Sequence, residues 1–110
     1  MLSQANRLTE SDDFRRVVRR GQKAGCATLV VHLAEGAAEV PLAGFVVSKA
    51  VGNAVIRNRV KRQLRHLTRE QLSVLPSSAL LVVRARPAAA EATYGELRGD
   101  LARCLERVVS

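Results

Sequence analysis

Tryptophan is absent from the 110 residues, and only Phe14, Phe45 and Tyr94 are aromatic. That scarcity disfavours a nucleic-acid binder built on an extensive aromatic platform, which stacks successive bases on rings. Cysteine is limited to Cys26 and Cys104, with no CxxC pair, so a zinc knuckle or a disulfide framework is unsupported. No apolar run approaches the roughly 18 residues that span a bilayer. The opening stretch, Met1 to Arg7, is polar and lacks the apolar run of a signal peptide, so the expected compartment is the cytoplasm. Acids are also few: 10 Asp and Glu stand against 18 Lys and Arg, a net charge of +8. The imbalance favours a polyanionic partner, nucleic acid or an anionic membrane. Fifteen of the 18 cations are Arg, the side chain suited to bidentate phosphate contacts and base stacking.

What is present reads as one domain over residues 1–110. Apolar residues at 47% and charged residues at 25% are ordinary for a globular chain. A first helix is expected from Thr9 or Ser11, with Glu10, Asp12 and Asp13 at the positive end of its dipole. Phe14, Val17 and Val18 give it one apolar stripe, Arg15, Arg16, Arg19 and Arg20 fill much of the rest, and Gly21 stops it. A short strand is read near Lys23 to Ala27. Thr28 to Ala34 and Leu42 to Ser48 read as two further strands, expected to pair antiparallel as sequence neighbours. Asn53 is the expected N-cap of a second helix. Leu80-Leu81-Val82-Val83, an unbroken apolar run, reads as a central strand. Thr93-x-x-Glu96 is a capping box opening a last helix, whose Leu97, Leu101, Leu105 and Val108 share one face. The order is α-β-β-β-α-β-α, a mixed α+β fold with a single four-stranded sheet packed by helices.

The stretch from Phe45 to Arg69 carries the chemistry. It holds Lys49, Arg57, Arg59, Lys61, Arg62, Arg65 and Arg69, and no acid occurs before Glu70. Wound at about 100° per residue, Ile56, Val60, Leu64 and Leu67 share an arc roughly 80° wide. Arg57, Asn58, Arg59, Lys61, Arg62 and Arg65 spread over the remainder. A solvated helix face ordinarily mixes acids among its bases; this one repels itself unless a polyanion covers it. Val51-Gly52-Asn53-Ala54 brings exposed backbone and a helix N-terminus, which favours anions, just after Lys49. GxxxxGK is absent, so this is no Walker loop.

Read together, Gly44-Phe45-Val46-Val47-Ser48-Lys49-Ala50-Val51-Gly52-Asn53 and Ala54-Val55-Ile56-Arg57-Asn58-Arg59-Val60-Lys61-Arg62-Gln63-Leu64-Arg65 resemble the signature of the bacterial ribonuclease P protein subunit. The resemblance is centred on Arg-Asn-Arg followed by Lys-Arg. Asn6-Arg7-Leu8, Asp13-Phe14, Arg20-Gly21, Ala85-Arg86-Pro87 and the closing Leu-rich helix extend it over nearly the whole chain. It implies a small basic cofactor of a ribozyme. In that family the RNA subunit, with Mg2+ bound mainly by RNA and substrate, hydrolyses a phosphodiester in precursor tRNA and releases the 5′ leader. It also implies a left-handed βαβ crossover through the second helix, against the general right-handed rule. The implied contacts with the catalytic RNA are Lys49, Asn53, Arg57, Asn58, Arg59, Lys61, Arg62 and Arg65. The implied leader cleft holds Phe14, with Val18 and His32 where the family often has aromatics; Ala50 stands where a second Lys is common. The implied partners are the catalytic RNA and precursor tRNA, with no membrane and no protein partner.

Other readings of the same residues are structural. Phe45 and Tyr94 read as core. His32 and His66 are isolated, and Ser77 and Ser78 have no base nearby in sequence. No cluster of carboxylates marks a two-metal nuclease centre. The alternative function is a general RNA-binding or ribosome-associated protein; a stand-alone nuclease lacks its carboxylates, and a membrane-surface binder lacks aromatic anchors.

Overall fold

The computed structural model describes residues 11–36 and 40–109, with side chains from Phe14 onward. The expected helix start at Thr9, the Asn6-Arg7-Leu8 segment and residues 37–39 lie outside the described residues. The elements are α1 (Ser11–Arg20), β1 (Gln22–Gly25), β2 (Leu29–Glu35), β3 (Leu42–Val46), α2 (Ala54–Gln71), β4 (Ala79–Ala85) and α3 (Tyr94–Val109), with 3-10 turns at Leu72–Val74 and Pro87–Ala90. The four strands form one sheet in the order β1-β2-β4-β3.

This order corrects the expectation that β2 and β3 pair. β4 lies between them, antiparallel to β2 and parallel to β3. The reason is burial. Leu80 to Val83 are at most 2% exposed, so this strand needs cover on both faces and a partner on both edges. β3 is short and ends in the exposed Val46, and it takes the edge instead. The chain from β3 to β4 runs through α2, as a parallel pair requires.

Alternation along the strands sorts the two faces. Val31, Leu33, Ala43, Leu81 and Val83 join the main core with Val60, Leu64 and Leu67 of α2 and Leu97, Leu101, Leu105 and Val108 of α3. Val82 and Leu80 meet Val17 on the other face, with Phe14, Val18 and Leu42 packed around them. Thus α2 and α3 cover one face, and α1 covers part of the opposite one. Phe45 and Tyr94 pack against the main core, as expected.

The helix ends follow local chemistry. Ile56 N donates to Asn53 Oδ1 at 3.0 Å, so Asn53 is the N-cap of α2. Gly52 has a positive φ with the Ile56 side chain close by, a place that suits glycine. At α3, Thr93 N donates to Glu96 Oε1 (2.8 Å) and Glu96 N to Thr93 Oγ1 (3.1 Å), closing the capping box. Asp100 is buried within α3. Its Oδ2 accepts from Thr28 Oγ1 at 2.6 Å and Thr28 N at 3.2 Å, and Arg103 donates to Oδ1. These bonds tie the turn between β1 and β2 to α3. They also hold the Asp100 carboxyl below the usual range, the Thr28 hydroxyl foremost.

Candidate nucleic-acid interface

Two cationic surfaces emerge, on opposite sides of the sheet. The first is α2, whose 18 residues make a rod about 27 Å long. Val60, Leu64 and Leu67 are fully buried, with Ile56 partly buried at the same edge. Anchoring by this narrow arc turns the bases outward. Asn58, Arg59 and Arg62 are exposed, and Arg57, Lys61 and Arg65 are half-buried. Lys49, Ala50 and Asn53 are exposed in the approach to the helix. Asn53 spends its carbonyl oxygen on the cap, leaving its amide NH2 as the outward donor. Arg59 also holds the protein itself: its guanidinium donates to the Ala90 carbonyl at 2.5 Å, tying α2 to the 3-10 turn after β4. The first acid, Glu70, is drawn aside by His66 (3.4 Å) and Arg98 (3.5 Å).

The second surface lies on the α1 side. Across the sheet, Lys23, His32, Val82 and Gly44 form one register row, and Gly25, Val30, Arg84 and Val46 form the next. Phe14 sits on Gly44 in the first row. The second row is not covered by α1 and floors an open groove of about 640 Å³, lined by Lys23, Val30, Val46, Ser48, Arg84 and Arg86 among others. Arg86 is held at its rim: its Nη1 donates to the Cys26 carbonyl (3.1 Å) and its backbone N to the Thr28 carbonyl (2.8 Å).

The expected cleft residues are brought together, but unequally presented. Phe14 and Val18 are half-buried where α1 meets the sheet. His32 is only 2% exposed, and neither ring nitrogen has a hydrogen-bond partner among the described residues. Burial, and then the Arg84 and Lys23 charges, hold its pKa below the ordinary histidine value, which favours a neutral ring. The groove cations Lys23, Arg84 and Arg86 were not read as a site from the sequence, because Lys23 lies about 60 residues from the Arg84–Arg86 pair and the two segments meet only across the sheet. The one available signal was Arg84, a charge directly following the apolar run of β4.

A one-sheet α+β domain with a self-repelling basic helix on one side and a cationic groove on the other is of the class that faces a polyanion. Comparison with known proteins gives the particular family. The model of the Ribonuclease P family matches residues 2–109. The ribonuclease P protein component of a Nocardioides species is 60% identical over 111 residues, covering 98% of this chain and 95% of that one. The solved Staphylococcus aureus RNase P protein superposes with a TM-score of 0.86 at 27% identity, over 97% of this chain and 100% of that one. The Thermotoga maritima RNase P protein does so at 0.81 and 26% identity, over 93% and 96%. The chain belongs to the bacterial ribonuclease P protein family. It is therefore a protein subunit of an endoribonuclease holoenzyme that matures the 5′ end of tRNA.

Proposed function

We propose that the two cationic surfaces divide the work of the subunit. α2 and its approach dock on the catalytic RNA through Lys49, Asn53, Arg57, Asn58, Arg59, Lys61, Arg62 and Arg65. The groove beside α1 receives the 5′ leader of precursor tRNA. The observation that carries this reading is the convergence of Lys23, Arg84 and Arg86 on one open groove, a register row away from Phe14, on the sheet face turned from α2. Such a groove can hold a single strand by its phosphates while a ring offers a stacking surface. Phe14 and Val18 stand on α1 over the adjoining register row, where His32 is buried as a neutral ring.

In this mechanism the chain binds and orients RNA, and no side chain takes part in bond breaking. Mg2+, held mainly by the RNA subunit and substrate, supplies the metal chemistry of phosphodiester hydrolysis. Among the described residues no group of three or more His, Cys, Asp or Glu converges. Likewise no described helix is long and apolar enough to cross a membrane. We place the assembly in the cytoplasm, with its precursor tRNA substrates.

The test is reconstitution with the cognate catalytic RNA at low Mg2+. The protein is expected to restore cleavage of precursor tRNA. RNA binding without restored cleavage would instead select the general RNA-binding reading. Cleavage by the protein alone would select a protein nuclease.

A further inference from the structure

The two cysteines, far apart in sequence, are neighbours in the fold. Cys26 lies in the turn between β1 and β2 and is partly exposed; Cys104 lies on the inner face of α3 and is fully buried. Cys26 packs against the core cluster that contains Cys104, and the two thiols are close enough for Cys26 to help raise the Cys104 thiol. The Cys26 Sγ also reaches the Asp100 carbonyl, one helical turn before Cys104, at 3.6 Å. The pairing is preorganised, because the Thr28 bonds to the Asp100 carboxylate already hold this turn against α3. Neither thiol has a role in the RNA surfaces described above.

We propose that Cys26 and Cys104 are an oxidation-sensitive dithiol that closes to an intrachain disulfide when a peroxide reaches Cys26. The chemistry balances in two steps. The Cys26 sulfur attacks the peroxide O–O bond, becomes a sulfenic acid and releases water or an alcohol. The Cys104 sulfur then displaces the hydroxyl from Cys26, forming the S–S bond and releasing water, with its thiol proton leaving in that water. Two thiols are oxidised by two electrons and the peroxide is reduced. The order follows from access. Burial and the neighbouring Cys26 push the Cys104 thiol up to about 12, so it stays protonated and shielded while Cys26 meets solvent. A dithiol reductant reverses the bond.

The consequence is structural. The disulfide would replace a weak contact between the turn and α3 with a covalent one. It would also fix the Cys26 carbonyl that holds Arg86 at the groove rim. The full-length chain, treated with hydrogen peroxide and mapped without reduction, is expected to give a joined peptide containing Cys26 and Cys104 within a monomer. Its melting temperature should rise by several degrees, and dithiothreitol should reverse both changes. Cys26→Ser should abolish the cross-link and the melting shift while folding normally, since residue 26 is partly exposed. Cys104→Ser should stall at a Cys26 sulfenic acid that dimedone traps. The proposal is overturned if peroxide joins two chains through Cys26. It is equally overturned if Cys26 is oxidised further while Cys104 remains alkylatable after unfolding.

Discussion

The Phe14 ring rests directly on Gly44, so closely that a Cβ at residue 44 would lie within about 3 Å of three ring carbons. Real Cβ atoms do not approach other groups so tightly, so one aromatic side chain on bare backbone sets the height of α1 above the sheet. Gly44→Ala is therefore expected to lift α1 or twist its ring, at about 1–3 kcal/mol, a usual cost of overpacking. Urea unfolding measures it. Phe14→Leu in the Gly44→Ala background should recover part of the loss, because the smaller side chain removes the clash, and the two effects should couple strongly. Additive effects would mean that α1 reseats without strain.

The α2 surface predicts how assembly responds to salt. If six basic side chains each meet a phosphate of the catalytic RNA, log affinity should fall against log salt with a slope of about −4 to −5. Arg62→Ala should lower that slope by about one. It is a cleaner probe than Arg59→Ala, which also breaks the bond to the Ala90 carbonyl. A nearly flat salt dependence for the unaltered protein would remove α2 from the interface.

What could be read in the sequence was local. The Asn53 cap, the Thr93–Glu96 box and the buried arcs of α2 and α3 each depend on residues three or four apart, whose geometry the helix dictates. The centrality of β4 was legible too, because an apolar run without alternation needs cover on both faces. Strand order was not. Whether β3 pairs with β2 or β4 depends on which edge loses less by staying open, and no spacing encodes that. Asp100 was equally silent: a carboxylate in a helix looks like a solvated charge until Thr28, 72 residues away, is found beside it. The groove had the same problem, since Lys23 meets Arg84 and Arg86 only after the sheet is assembled. His32, matched to a cleft aromatic through the resemblance, lies in the row that Phe14 covers but is buried there.

The Asp100–Thr28 pair makes acid sensitivity testable. The folded carboxyl titrates below its ordinary value of 3.8, chiefly because of the Thr28 hydroxyl, so protons bind the unfolded chain more readily. The pair thus stabilises the fold above the ordinary value and loses that contribution as pH falls through the lowered one. Asp100→Asn should cost about 1.5–3 kcal/mol near neutral pH, the range for hydrogen bonds to a charged group. Its stability should then fall less steeply than that of the unaltered protein below about pH 4. Urea midpoints across that range read the difference. Parallel curves for the two proteins would show that Asp100 does not contribute to acid unfolding.

Phe14 is the residue on which assembly and substrate handling can be separated. Its ring is half-buried on Gly44, and the register row it covers adjoins the cationic groove. Phe14→Leu keeps much of the apolar volume over Gly44 while deleting the face on which a base would stack. Such stacking is worth roughly 1–3 kcal/mol per base by alanine substitution. The variant should bind the catalytic RNA normally, because α2 lies across the sheet. It should lose about 5- to 150-fold in affinity for precursor tRNA with a leader of several nucleotides, the same energy expressed as a ratio. Mature tRNA, which has no leader, should bind nearly unchanged. The comparison needs both RNAs at one salt and one Mg2+ concentration, with a melting curve of the free protein beside it. Equal losses for the two RNAs, or a melting drop large enough to explain them, would make Phe14 a packing residue of α1 and leave the leader to Lys23, Arg84 and Arg86 alone.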